Sequence, residues 1–129
     1  MTSASVDAAE VTRADVIDSV VSPQAVALTL FVSSRICYFA GHFSQFPILP
    51  GVVQLDWAVR YAREYLLLTL PVMAVDRLKF TWPIQPNMQV KLTIEAESSG
   101  KSAAFRFWTD SLTVEGAPVN FSQGRLVYG

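Results

Sequence analysis

The chain has 129 residues, 51% of them hydrophobic, and its mean hydropathy of +0.32 is high for so short a protein. Because this length is typical of one folded unit, residues 1–129 are expected to form a single domain, and the apolar surplus favours a cavity or a subunit interface. The net charge of −1 gives no cationic field to attract nucleic acid or an anionic membrane.

The chain contains a single cysteine, Cys37, which cannot form an intramolecular disulfide or a cysteine-rich metal site. The first ten residues lack the charged-then-apolar order of a secretory signal. The longest apolar stretch, residues 65–75, is interrupted by Thr69 and Pro71 and is too short to span a bilayer. A cytoplasmic location without a membrane span is therefore expected.

The N-terminal part predicts one strand followed by a constrained loop. Residues 1–22 carry aliphatic side chains at loosely helical spacing and are expected to form a frayed tail or a short packed element. Residues 23–34 are dense in β-branched and aliphatic side chains between Ser-Pro and Ser-Ser, which predicts a strand. Residues 39–51 contain two glycines and two prolines, which disfavour regular structure.

The remainder predicts a buried helix and then an antiparallel set of strands. No glycine or proline occurs between Gly51 and Pro71, and apolar side chains occupy almost every helical face. Four strand-like runs follow, separated by glycine and proline turns: residues 73–82, 88–98, 103–115 and 118–129. The order of elements predicts an α+β fold in which a sheet wraps around a helix.

Two polar residues in this framework have side chains suited to proton transfer. His42 is the one histidine and lies in the constrained loop; a lone histidine among aromatics is more often a packed residue, but imidazole titrates near neutral pH. Asp56 follows fourteen residues later, between apolar helix neighbours. Burial of an unpaired carboxylate is costly, so one possibility is that Asp56 faces a partner or a cavity, where it would act as a proton donor. The alternative is that Asp56 forms an i,i+4 ion pair with Arg60.

Gly51 supplies a third group at the predicted start of the helix. Its N–H would be one of the donors that a helix leaves unpaired, so it can hold an oxyanion, although a glycine after Pro50 is also ordinary turn chemistry. Proton abstraction beside a thioester carbonyl builds negative charge on the carbonyl oxygen. A base, an acid and a helix-start N–H together are what an α,β-elimination requires.

The stretch GHFSQFPILPGVVQLDWA, residues 41–58, resembles the active-site signature of bacterial 3-hydroxyacyl-ACP dehydratases: Gly-His-Phe, Pro-x-x-Pro-Gly-Val and then an acid. The resemblance implies a hotdog fold, an antiparallel sheet wrapped around a long central helix, with active sites at a dimer interface. It also implies that His42 removes the C2 proton, Asp56 protonates the departing 3-hydroxyl and the Gly51 N–H binds the thioester oxygen. Ile48 matches the position whose backbone carbonyl orients the imidazole.

The implied reaction converts a 3-hydroxyacyl thioester on acyl carrier protein to the trans-2-enoyl thioester, in fatty acid or aryl polyene-like biosynthesis, without a cofactor or metal. The sequence looks closest to the aryl polyene branch. It departs from the general pattern in carrying Asp instead of Glu at position 56, and Arg60 where glutamine is usual. Arg60 would therefore weaken Asp56 as an acid, orient it, or contact the substrate.

The resemblance also implies partners, namely acyl carrier protein and a second hotdog subunit in a homodimer or heterodimer. An acidic carrier protein needs a cationic patch near the tunnel mouth, for which the sequence offers Arg63, Arg77, Lys79 and Arg125. Aromatic side chains are expected to line the acyl tunnel: Phe43, Phe46 and Trp57.

Two other functions remain open on the sequence. The hotdog fold also hosts acyl thioesterases, although a histidine and an acid at this spacing argue against hydrolysis. A non-catalytic subunit that supports an active paralogue is the second alternative, and the joint presence of His42, Gly51 and Asp56 argues against it. Release of free acid, or no turnover at all, would distinguish these alternatives from dehydration.

Overall fold

The structure, a computed structural model, describes residues 11–39 and 47–129. The described elements are β1 (Asp15–Val21), β2 (Ala25–Val32), a 3₁₀ turn (Cys37–Phe39), α1 (Gly51–Leu66), β3 (Val72–Phe80), β4 (Met88–Ala96), β5 (Ser102–Val114) and β6 (Ala117–Tyr128). The strands form one antiparallel sheet in the order β1-β2-β4-β5-β6-β3. The predicted α+β layout of a sheet and one long helix is therefore confirmed.

The core lies between α1 and one face of the sheet. In β4, Val90, Leu92 and Ile94 are fully buried, whereas the alternate positions are partly or fully exposed, as strict alternation predicts. On the helix, Trp57 and Tyr61 are both fully buried and are the largest side chains in the core. The sheet thus packs one apolar face against the helix.

The N-terminal residues differ from the helical spacing seen in the sequence, because residues 15–21 form strand β1. This strand pairs with β2 from Asp15↔Phe31 to Val21↔Val26, with a register shift between Val16 and Asp18. The physical reason is that a short run rich in β-branched residues gains little as an isolated helix. The free edge of β2 instead offers a complete set of backbone hydrogen-bond partners.

Residues 11–14, here called the N-terminal strap, cross over α1 before β1 begins. The Trp57 Nε1–H donates to the Thr12 carbonyl at 2.9 Å, and the Tyr61 hydroxyl donates to the Ala14 carbonyl at 3.4 Å. These bonds give the polar ends of two buried aromatic side chains a partner, which removes much of the cost of burying them. The strap therefore covers the part of α1 that carries Trp57 and Tyr61.

An ion pair holds the strap to the last turn of the helix. The Arg13 guanidinium pairs with the Glu64 carboxylate and lies 4.7 Å from the centroid of the Tyr61 ring. The hydrogen bond from Arg13 lowers the pKa of Glu64 below its ordinary value of 4.5, whereas burial raises the pKa of the Tyr61 hydroxyl. Since both partners of the pair are partly exposed, solvent screens their attraction.

We expect Glu64→Gln to lower the free energy of unfolding by about 0.5 kcal/mol at neutral pH. A lowered carboxyl pKa adds stability above the unfolded-state value, and this contribution is lost as the pH falls through the folded-state value. Urea denaturation at pH 7 and at pH 3 should therefore show a difference from wild type that shrinks in acid. Glu115→Gln, in the exposed β5–β6 turn, is the control; an equal deficit for Glu64→Gln at both pH values would contradict the prediction.

Candidate active site

Helix α1 begins at Gly51, as the sequence predicts. Pro50 precedes it with φ −58° and ψ 146°, and its carbonyl accepts from the N–H groups of Val53 and Gln54. No side-chain cap is described at this end of the helix. The first helical N–H groups, including that of Gly51, therefore have no intrahelical acceptor and carry the positive end of the helix dipole.

The reason for glycine at position 51 is a close contact with the end of β3. A Cβ atom on Gly51 would lie 2.7 and 2.8 Å from two ring carbons of Phe80. Such distances are too short for two carbon atoms, so a side chain at position 51 requires the ring to move. Phe80 remains 48% exposed and has room to do so.

A cleft of about 400 Å³ opens beside this contact, and we call it the helix-start cleft. Eight residues line it: Ile48, Leu49, Gly51, Gln54, Phe80, Thr81, Trp82 and Pro83. One wall is the loop and first turn of α1, and the other is the end of β3 with the residues that follow. Its volume and mostly apolar lining with a few polar groups are typical of a small-molecule site.

Gln54 connects the helix wall of the cleft to strand β6, which pairs with β3. Its side chain is 3% exposed; its Nε2 donates to the Leu49 carbonyl at 3.2 Å, and its Oε1 accepts from the Ser122 hydroxyl at 2.6 Å. Gln54 was not among the site residues predicted from the sequence. A neutral amide one turn after the helix-start glycine, with valine and leucine beside it, was the signal that could have singled it out.

Asp56 lies on the exposed side of the helix and does not line the helix-start cleft; that it faces a partner subunit and acts as the acid stays a prediction. Its side chain is 47% exposed, and its Oδ2 accepts from Arg60 Nε at 2.8 Å. The alternative reading, an i,i+4 pair with Arg60, is confirmed. The physical reason is the helical period, which places positions 53, 54, 57, 58 and 61 inward and leaves 56 and 60 outward.

The other site residues predicted from the sequence have different outcomes. His42, Phe43 and Phe46 lie outside the described residues. Ile48 is at the cleft and 39% exposed, but the role of its carbonyl stays a prediction. Trp57 does not line the cleft; it is fully buried under the N-terminal strap, because its indole N–H is bonded there.

Residues 11–39 and 47–129 contain neither a metal-binding group of side chains nor a membrane-spanning helix. No group of three or more histidine, cysteine, aspartate or glutamate side chains in these ranges is arranged to hold a metal ion. Nor is any helix there long and apolar enough to cross a membrane. The cytoplasmic location stays a prediction.

We expect Gly51→Ala to lower the free energy of unfolding by about 1 kcal/mol, because its Cβ displaces the Phe80 ring. In a Phe80→Ala background the same change should be neutral or stabilising, since alanine is the better helix former. A double-mutant cycle by chemical denaturation measures this coupling. Equal effects of Gly51→Ala in both backgrounds would show that the Phe80 ring is not what restricts position 51 to glycine.

The chain matches the family model described as ApeI-like, ApeI dehydratase, over residues 18–117. The 3-hydroxyacyl-[acyl-carrier-protein] dehydratase FabZ of Gluconacetobacter diazotrophicus is 29% identical over 92 residues, which are 64% of this chain and 56% of that protein. FabZ of Geobacillus thermodenitrificans is 31% identical over 71 residues, 50% of this chain and 49% of that protein. The chain thus spans about half the length of the curated relatives it matches.

Solved structures confirm the hotdog fold. A chain of the dehydratase heterocomplex ApeI:P from Xenorhabdus doucetiae aligns with a TM-score of 0.77 and 25% identity, over 90% of this chain and 97% of that chain. Thioesterase superfamily member 2 from Mus musculus aligns with a TM-score of 0.65 and 12% identity, over 90% and 80% of the two chains, which shows the fold alone. Because the family model spans most of the sequence, the chain belongs to the ApeI-like dehydratase family.

Proposed function

We propose that this protein removes water from a 3-hydroxyacyl thioester carried on acyl carrier protein and forms the trans-2-enoyl thioester. The observation that carries the proposal is the helix-start cleft, where an uncapped helix begins at Gly51 beside an apolar space of about 400 Å³. This geometry suits a thioester carbonyl whose oxygen becomes negative during the reaction. Membership of the ApeI-like dehydratase family supports the same reaction.

In the proposed mechanism His42 takes the C2 proton and the developing charge on the thioester oxygen is held by the Gly51 N–H. Asp56 then gives a proton to the departing 3-hydroxyl, so that water leaves and the C2–C3 double bond forms. An acid must carry a proton when it acts. In this chain Asp56 Oδ2 accepts a hydrogen bond from Arg60, which the substrate complex would have to exchange for a contact with the 3-hydroxyl.

A second hotdog subunit, identical or different, would supply the covering that this chain does not give to Asp56. The surface around α1 and β3 exposes several large apolar side chains: Val52, Leu67, Leu70, Met73 and Trp82 are 50% to 77% exposed. β3 is also an edge strand, whose outer backbone groups can pair with another chain. An apolar edge strand beside the helix-start cleft supports a site completed at a subunit interface.

The main test uses a 3-hydroxyacyl-ACP as substrate and intact mass as the measurement. We expect the wild type to remove one water, and His42→Ala and Asp56→Asn each to slow this by roughly 100-fold or more, because each removes a proton-transfer group. Asp110→Asn is the matched control, since Asp110 is also an exposed aspartate in an ion pair, 3.3 Å from Lys91.

The other outcomes of this assay identify the alternative functions. Release of the free acid would indicate a hotdog thioesterase. An inactive wild type that gains activity only when a second hotdog subunit is added, and keeps it after His42→Ala, would indicate a non-catalytic partner. Arg60→Gln should retain turnover if Arg60 only pairs with Asp56, whereas a raised KM would show that Arg60 contacts the substrate.

The cationic residues predicted to bind carrier protein are not equivalent in the structure. Arg125 donates to both carboxylate oxygens of Asp76, at 2.9 and 2.6 Å, so much of its charge is neutralised. Arg77 has a left-handed φ of 55° at a register shift in β3, and Lys79 follows it. Both are exposed and lie within roughly 10 Å of Phe80 along the strand.

We therefore expect the double variant Arg77→Glu and Lys79→Glu to raise the KM for the carrier-bound substrate by roughly tenfold, because an acidic protein would be repelled. The KM for the same acyl group on coenzyme A should change little. Steady-state kinetics at low and high salt measure both values. Lys101→Glu, in the β4–β5 turn, is the control, and an equal effect of this variant would remove Arg77 and Lys79 as a docking site.

A further inference from the structure

The side chain of Gln54 is held at both ends of its amide. Ser122 is 1% exposed and its hydroxyl donates to Gln54 Oε1, which fixes the carbonyl end of the amide. The opposite end, Nε2, must then face the Leu49 carbonyl, to which it donates. Because a buried amide loses much of its solvation unless it is bonded, few other orientations of this side chain are available.

The two partners of Gln54 lie on opposite sides of the helix-start cleft's frame: Leu49 lines the cleft, and Ser122 lies on the strand that pairs with its strand wall. Ser122 lies on β6 directly opposite Phe80 of β3, whose ring contacts Gly51. Leu49 lies two residues before Gly51, and its own N–H donates to the Ile84 carbonyl at 2.8 Å. The bonds from Ser122 to Gln54 to Leu49 therefore fix the distance between the strand wall and the residues that begin the helix.

We propose that Gln54 is a positioning residue of this site, which sets the direction of the Gly51 N–H relative to the Phe80 wall. This inference rests on the proposed function, in which that N–H stabilises the thioester oxygen. A hydrogen-bond donor in an active site acts through its placement, and a displacement of about 1 Å can cost roughly 100-fold in rate. Gln54 itself needs no contact with the reacting atoms for this role.

Three substitutions separate the bonds of the bridge. Gln54→Met keeps the approximate length and removes both hydrogen bonds. Gln54→Glu keeps an acceptor for Ser122 but places a carboxylate oxygen against the Leu49 carbonyl. Ser122→Ala removes one bond and leaves the donation to Leu49. The control is Thr109→Val, because Thr109 is 2% exposed and donates to the Gln89 carbonyl at 3.2 Å, away from the cleft.

The kinetic experiment measures kcat, KM and melting temperature for each variant with a 3-hydroxyacyl-ACP. We expect kcat of Gln54→Met and Gln54→Glu to fall roughly 10- to 100-fold with a KM change under about threefold, and Ser122→Ala to lie between these variants and wild type. Thr109→Val should lose melting temperature but keep kcat within about twofold. A fall in kcat that tracks melting temperature across all variants, the control included, would overturn the proposal.

Amide NMR of ¹⁵N-labelled protein tests the same residue without turnover. Gln54→Met should shift the Gly51 amide resonance, whereas Thr109→Val should leave it unchanged. An unchanged Gly51 amide in Gln54→Met would refute the positioning role. If wild type removes no water from any acyl-ACP, the proposed function fails, and the NMR result still decides whether Gln54 positions Gly51.

Discussion

The start of helix α1 lies directly against the ring of Phe80 at the end of β3, and only glycine at position 51 permits this contact. The approach brings the unpaired helix-start N–H groups to the side of an apolar cleft instead of leaving them in open water. A side chain at position 51 would push the Phe80 ring away and break this contact. The shape of the cleft and the direction of the Gly51 N–H both depend on it.

The edge position of β3 would link the cleft to the proposed subunit interface. Phe80 ends a strand whose outer edge pairs with no other strand in residues 11–39 and 47–129, and the exposed Met73 lies on the same strand. A second subunit that pairs with this edge would cover apolar surface and exclude water from the cleft mouth in one step. In such a dimer, the edge strand would couple subunit assembly to the electrostatics of the site.

Much of the fold could be predicted because its signals are local: alternation in residues 89–96, and a helix without breakers after Gly51. Strand β1 was not predictable, since its pairing depends on the free edge of β2, which is a tertiary property. The same holds for Gln54, whose partner Ser122 is 68 residues away. The sequence left the orientation of Asp56 open, because apolar neighbours in sequence do not bury a side chain when the helical period turns it outward.

In the single chain Asp56 is paired with Arg60, whereas the proposed reaction needs Asp56 to contact the substrate as an acid. In water the pair contributes little to stability, because both side chains are about half exposed and solvent screens them. Under a covering subunit the attraction between the two side chains would strengthen and hold Asp56 more firmly against Arg60. Asp56 can therefore act as an acid only if Arg60 finds another acceptor when a subunit covers the pair. That acceptor would lie on the second subunit or on the substrate.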